Sequence, residues 1–262
     1  MGRTFVVGDV HGDLEALERV LADLPAPGAG DSLVFLGDYV DRGPQVRETV
    51  TFVRRLQART QARVVLLRGN HEDSWLRVAQ GEMGEFVFPR PNGCLESLRS
   101  YRGEPTPARD EEPRTEEWAQ LRCASFFPRD VLAWMDTLPF FHEDEHALYV
   151  HGGLPRVGGR FPHPSEIDPP RTLLWVRTRD FFLNYRGKYV VFGHTRCATL
   201  PQELSAYTPD DPTDVFAGPC VAGIDTGAGK GGFLTVLELP SRRVYESRRT
   251  DPAKAPARAD GR

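Results

Sequence analysis

Short apolar runs, polar glycine-bearing segments and helical apolar spacings follow one another in a fixed order along the first third of the chain. Thr4 to Val7 is a β-rich apolar run that leads into Gly8-Asp9-Val10-His11-Gly12. Leu14, Leu17, Leu21 and Leu24 then recur at helical spacing and predict an amphipathic helix, which Pro25 to Gly30 terminates. Ser32 to Leu36 reads as a second strand and runs into Gly37-Asp38-Tyr39-Val40-Asp41-Arg42-Gly43. Val46, Val50, Val53 and Leu56 line one face of the next helix. Arg63 to Leu67 predicts a third strand, ending at Gly69-Asn70-His71-Glu72. Strand, polar motif and helix in repeated succession is the pattern of an α/β sheet.

The later part repeats the arrangement with less helix. Ala147 to Val150 leads into His151-Gly152-Gly153, Tyr189 to Phe192 into Gly193-His194, and Val221 to Ile224 into Asp225. Phe233 to Leu239 and Val244 to Ser247 predict a closing antiparallel hairpin around Pro240-Ser241. The polar motifs therefore sit at the carboxyl ends of strands, where open α/β sheets bind ligands. Two stretches break the alternation. Gly103 to Glu117, rich in Pro, Arg and acids, reads as an exposed or partly disordered insert. It lies within a block, Glu82 to Phe141, expected to form a cap beside the active-site edge. Arg248 to Arg262 has almost nothing apolar and reads as a disordered tail, which leaves one domain over residues 1–247.

Composition narrows this picture. The length, 262 residues with 40% hydrophobic, suits one sizeable domain with a real core. A net charge of −4 and dispersed arginines give no electrostatic case for nucleic acid or an anionic membrane. Cys94, Cys123, Cys197 and Cys220 are widely separated and are expected to be reduced thiols. Met1-Gly2-Arg3-Thr4 runs almost at once into a strand, without an apolar signal region. No apolar stretch approaches the roughly 20 residues of a transmembrane helix. The expected compartment is the cytoplasm.

Four of the seven histidines fall inside the motifs. Carboxylate, imidazole and amide oxygen together suit divalent ions such as manganese, iron or zinc. Two such ions about 3.5–4 Å apart can clamp an in-line displacement. The histidines would bind as neutral rings, each with an acceptor on its other nitrogen. His142, His146 and His163 lie outside the motifs and read as surface or loop residues. Asp13 and Glu15 read as acids of a helix's first turn, and Phe126-Phe127, Trp134 and Phe140-Phe141 as packing. Gly227 to Gly232 suggests a phosphate loop but fails the template, because Ile224 stands where Gly is needed and Gly follows Lys230. It reads as a turn between strands. No serine lies in a sharp-turn nucleophile motif.

In order, the motifs G-D-x-H-G, G-D-x-V-D-R-G, G-N-H-E, H-G-G and G-H resemble those of the calcineurin-like metallophosphoesterases. Their wording is most like the bacterial and phage serine/threonine phosphatases of the phosphoprotein phosphatase branch, and the resemblance runs from Thr4 to Leu239. It implies a single-domain α/β fold, a β-sandwich flanked by helices in α-β-β-α layers. It implies two divalent ions, manganese foremost, with iron, zinc or nickel as alternatives. Asp9 and His11 would bind the first ion, Asn70, His151 and His194 the second, and Asp38 would bridge both. A metal-bridging hydroxide would attack phosphorus, while His71, held and charged by Asp41, would act as general acid. Arg42 and Arg177 would grip the phosphate, with Asn70 also facing it and Arg179 a nearby competitor for the second arginine's place. Asn92-Gly93 and Ser100-Tyr101 resemble a loop near the site, and Asp225 a partner supporting the ligands. His151-Gly152-Gly153 departs from the His-Ala-Gly frequent in bacterial relatives, at a position that holds no ligand. The implied substrate is phosphoserine or phosphothreonine on proteins. Two alternatives stand beside it: a symmetrical dinucleoside tetraphosphate hydrolase or small-molecule phosphatase, and an inactive relative that only binds phosphorylated partners. Neither nucleic acid nor membrane is an expected partner, and the oligomeric state is left open.

Overall fold

Successive residues of the first strand face opposite ways, and the two faces enter different cores. Phe5 and Val7 pack beneath helices, while Val6 packs against a second sheet. A computed structural model describes residues 2–82, 84–87, 90–201, 203 and 214–248. Its strands are β1 (Thr4–Val7), β2 (Ser32–Phe35), β3 (Arg63–Leu66), β4 (Phe141–Glu143) and β5 (Leu148–Val150). They continue with β6 (Val190–Arg196), β7 (Phe216–Ala217), β8 (Val221–Asp225), β9 (Thr235–Leu239) and β10 (Arg243–Glu246). The helices are α1 (Leu14–Ala22), α2 (Val46–Arg55), α3 (Asn70–Ala79), α4 (Cys94–Arg102), α5 (Thr115–Leu121), α6 (Arg129–Thr137) and α7 (Arg179–Asn184).

The strands form two sheets, ordered β10-β9-β1-β2-β3 and β4-β5-β6-β8-β7. Within them β1, β2 and β3 run parallel, as do β5, β6 and β8; β9 is antiparallel to β1 and to β10, and β4 and β7 pair antiparallel at the two edges of the second sheet. Val6, Val34, Leu36, Tyr149, Val191, Ala222 and Ile224 fill the space between the sheets. The outer face of the first sheet is covered by α1 and α2 through Leu17, Val20, Val50 and Val53. Phe181 and Phe182 of α7 cover Phe192 on the outer face of the second. Two sheets between helical layers match the implied architecture. The expected hairpin is β9–β10, whereas β4 and β7 are too short to stand out in the sequence. Among the described residues no helix is long and apolar enough to cross a membrane.

Asp13 caps α1, its Oδ1 accepting from Ala16 N at 3.0 Å, as a first-turn acid should. Between residues 82 and 141, α4, α5 and α6 place Leu98, Leu121, Val131 and Met135 in the same core as Trp75 of α3. Phe126, Phe127 and Trp134 also pack on this side, Phe127 lying 5.4 Å from Trp75 between ring centroids. The disordered-tail expectation lies outside the described residues from position 249 on. Arg248 is described, and its guanidinium meets Asp214 at 2.9 Å and Glu246 at 2.5 Å.

The Gly103–Glu117 stretch differs from its expectation at its end. Thr115 begins α5, and Glu117 is 0% exposed. Glu117 Oε1 accepts from Arg99 Nε at 2.9 Å, and its Oε2 accepts from Arg114 N at 2.6 Å. Arg99 is itself buried and also pairs with Glu111. The charge-rich composition that suggests disorder is thus spent on internal pairing. Burial alone would raise the Glu117 carboxyl, but hydrogen bonds from Arg114 and Arg99 outweigh it and hold it at about 2. A group depressed on folding stabilises fully above the ordinary carboxyl range and loses that contribution as pH falls toward its folded value. Glu117→Gln should cost about 2 kcal/mol at pH 7 in urea unfolding, the scale of a hydrogen bond to a charged group. The gap from wild type should narrow as pH drops from about 4 toward 2. A gap unchanged between neutral and acid pH would mean that the ion pair contributes nothing.

Candidate metal centre

Four of the motifs follow strand ends, and the fifth, Gly193-His194, lies within β6 where its register with β8 is irregular. Asp9 and His11 follow β1, Asp38 to Arg42 follow β2, Asn70 and His71 open α3, His151 follows β5, and His194 lies within β6. The turns require unusual backbone. His11, Asp38, Asp41, Arg42 and His194 have φ of 46, 55, 70, 72 and 62°, each costing about 1–3 kcal/mol in a residue with a side chain. At Gly69 and Gly193 a side chain would overlap the carboxylates of Asp38 and Asp9 respectively, so those carboxylates sit directly on glycine backbone.

Glu72 holds two of the loops in place. Its Oε2 accepts from Asp38 N at 2.9 Å and Gly69 N at 3.0 Å. Its Oε1 accepts from Tyr39 N at 2.8 Å and Val40 N at 3.2 Å. A fully buried carboxylate therefore ties the end of β2 to the start of α3. Its place in the third motif hints at importance, but the sequence does not disclose this role.

Two triads of donor atoms share Asp38: His11–Asp38–His71 and Asp38–His151–His194, all buried. Asp38 Oδ2 lies 3.3 Å from His11 Nε2 and 3.9 Å from His71 Nε2, and Oδ1 lies 3.4 Å from His151 Nε2. Asn70 Oδ1 is 2.9 Å from His151 Nε2 and 2.8 Å from His194 Nδ1, which places Asn70 in the second triad. Asp9 stands outside both triads. Its two oxygens accept from His194 N at 3.1 and 3.0 Å. His71 falls inside the first triad, although its Nδ1 is taken by Asp41 Oδ2 at 2.6 Å.

Ring orientation shows why this cluster suits cations. His151 Nδ1 donates to Leu36 O at 2.9 Å, and burial lowers its pKa, so the ring is neutral and Nε2 carries a lone pair. That lone pair faces Asn70 Oδ1 and Asp38 Oδ1, both acceptors. His11 Nδ1 likewise contacts Val40 O at 2.9 Å, and burial, reinforced by Arg42 and Lys230, pushes its pKa down to about 3. Burial, then Asp225 and Asp38, raises the Asp9 carboxyl well above its ordinary range. Asp225 Oδ2 is buried without a hydrogen-bond partner. Acceptors facing acceptors in a buried site repel, and cations between them convert the repulsion into coordination. The donor set fits divalent ions.

Asp41 is held by residues outside the motifs. Ser97 Oγ donates to Asp41 Oδ1 at 2.5 Å and accepts from Asp41 N at 2.9 Å, while Trp75 Nε1 donates to the same carboxylate at 3.0 Å. Burial raises Asp41 and lowers His71, so each is pushed toward its neutral form rather than toward an ion pair. The expected charging of His71 by Asp41 is thus opposed by desolvation.

Both nominated arginines reach the cluster. Arg42 Nη1 contacts His11 Nε2 at one side. Arg177 Nε donates to His194 Nε2 at 2.8 Å at the other, whereas Arg179 pairs with Glu203 at 2.5 Å. Gly93 O accepts from Arg42 N at 3.2 Å, so that part of the expected loop lies against Arg42, whereas Ser100 Oγ accepts from Arg47 N at 3.0 Å in α2. Lys230, set aside with its glycine-rich turn, stands 3.6 Å from Asp225 Oδ2 and acts electrostatically on His11, His71, His151 and His194. A lysine among turn glycines gives no sign of this placement, which follows from the turn between β8 and β9 running against the His11 backbone as β9 returns beside β1.

Comparison with known proteins agrees with this geometry. The family model for calcineurin-like phosphoesterases matches residues 2–197. Serine/threonine-protein phosphatase 6 catalytic subunit of Drosophila melanogaster is 41% identical over 187 residues, 70% of this chain and 47% of that protein. Serine/threonine-protein phosphatase 7 of Arabidopsis thaliana is 37% identical over 103 residues, 36% of this chain and 25% of that protein. The chain thus spans less than half the length of these relatives. Among solved structures, a cold-active protein-tyrosine phosphatase of a psychrophilic Shewanella matches with a TM-score of 0.54 at 20% identity, over 94% of this chain and 77% of that one. A protein provisionally described as a diadenosine tetraphosphatase matches with a TM-score of 0.52 at 19% identity, over 94% and 92%. These two likenesses are of fold. With a family match that runs from β1 through both triads, the chain belongs to the calcineurin-like phosphoesterases.

Proposed function

We propose that this chain is a phosphomonoesterase using two divalent ions and acting on phosphoserine and phosphothreonine in proteins. The observation that carries the reading is a single buried carboxylate, Asp38, shared by two donor triads and flanked by Arg42 and Arg177. Asp9, His11 and Asp38 would hold one ion, and Asp38, Asn70, His151 and His194 the other. When bound, such a pair lowers the pKa of water and polarises phosphoryl oxygens. Arg42 and Arg177 approach the cluster from the two triads, so each can donate to a different phosphoryl oxygen. His71 supplies the leaving oxygen with its proton. With a proton held by Asp41 and directed at His71 Nδ1, the ring presents Nε2–H without carrying net charge, and as Nε2 gives up its proton Nδ1 takes the one from Asp41, so the ring stays neutral and Asp41 becomes the carboxylate. The serine/threonine phosphatase relatives support the choice of substrate.

Asp38→Asn should abolish turnover of an aryl phosphate and lower the metal content measured by elemental analysis, because one oxygen set serves both triads. His71→Asn should lower kcat about 10²- to 10⁴-fold while metal content stays at the wild-type level; loss of metal as well would make His71 a ligand rather than the acid. Assayed with manganese, phosphopeptides should be turned over faster than diadenosine tetraphosphate. Dominant hydrolysis of the dinucleotide would sink the protein-phosphatase assignment.

A further inference from the structure

A cavity of about 490 Å³ opens beside Arg42, and its lining includes no residue of the two triads. Its walls carry Arg42, Lys230, Arg90 and Arg109, against the acids Glu96 and Asp110, with Trp118 and Leu121 supplying apolar surface. Arg42 and Lys230 are common to this cavity and to the electrostatic environment of the histidines. A molecule whose phosphate lies at the triads can therefore extend into the cavity without leaving cationic surroundings.

The turn that carries Lys230 is built rather than loose. Gly227 O accepts from Lys230 N and from Gly232 N, each at 3.0 Å. Gly227 N donates to Asp225 Oδ1 at 3.0 Å, and Gly229 N donates to Asp13 Oδ2 at 3.3 Å. Gly229, at φ +68°, lies so near the His11 backbone that a side chain there would overlap it. Asp225 is 3.6 Å from Lys230 Nζ, beyond hydrogen-bond range, so the ammonium retains donors for another anion. Of the other cations, Arg90 is already paired with Glu112 at 2.8 Å. The first turn of α4 also borders the cavity, and its N-cap Gly93 has no side chain with which to cap it.

We propose that this cavity is a second-anion subsite, in which Lys230 and Arg109 select substrates with a phosphate or carboxylate next to the phosphate that is cleaved. The inference rests on the phosphoesterase reading, since the first phosphate is placed at the triads. Such a subsite separates doubly phosphorylated or acidic phosphopeptides from those with neutral neighbours.

Three fluorescently labelled phosphothreonine peptides, identical except for a neighbouring alanine, aspartate or phosphoserine, test it by anisotropy on the metal-loaded protein. Lys230→Gln and Arg109→Gln are compared with wild type, and aryl phosphate turnover is measured in parallel. The phosphoserine peptide should bind about tenfold more tightly than the alanine peptide, a factor on the scale of one charge-assisted contact. The aspartate peptide should fall between if charge alone is read, or match alanine if a phosphoryl group is required. Each variant should lose most of the advantage, and Arg109→Gln, away from the Lys230 turn, guards against a folding defect in Lys230→Gln. Equal binding of all three peptides, or an advantage that survives in both variants, overturns the subsite. Absence of aryl phosphate turnover with the peptide preference intact refutes the phosphoesterase reading instead and leaves the subsite standing.

Discussion

Lone pairs that face one another in a buried space are the constraint on which the rest of this structure turns. His151 Nε2, Asn70 Oδ1 and Asp38 Oδ1 converge with no proton to share, while Asp9 and Asp225 add carboxylates below the surface. Such a cluster is unfavourable by itself and is stable only where the surrounding fold over-determines it or cations neutralise it. The first condition is visible in the fold. His11, Asp38, Asp41, Arg42 and His194 adopt left-handed backbone, and the strands β1, β2 and β6 that lead to them or carry them are buried in the apolar cores.

Glu72 shows how the anchoring works. One carboxylate collects four backbone N–H groups from two loops, and so determines the distance between Asp38 and the start of α3 without touching the cluster's donor atoms. Ser97 and Trp75 do the same for Asp41 from α4 and α3. Donor groups locked by such contacts are preorganised. The two sheets matter for the same reason. The first supplies Asp9, His11, Asp38 and Asn70, the second His151 and His194, and the apolar layer between them sets their separation.

Much of this was legible in residue order. Strand runs ending in glycine and a polar ligand type predicted the parallel strands of both sheets, and the ordered motifs identified nearly every side chain that meets at the cluster. Arg177 was separated from Arg179 only by geometry, because both lie within the span of one loop and helix start and differ in direction. Glu117 was misread because local composition records charge but not its partner. A buried arginine eighteen positions away turns an apparent solvated acid into an internal one. The placements of Lys230 and Ser97 are not legible in the sequence, since neither the glycine-rich turn nor the segment that forms α4 reveals which distant loop it will face.

By itself the sequence determined the fold class, the positions of the strand ends and the chemistry of the groups placed there. These depend on side-chain period and residue type, which are local properties. Only the tertiary structure decided which acceptors oppose one another, which carboxylates serve as anchors, and where cations gather beyond the triads. Those outcomes depend on distances between segments far apart in the chain, and on burial, which pushes Asp41 and His71 toward their neutral forms.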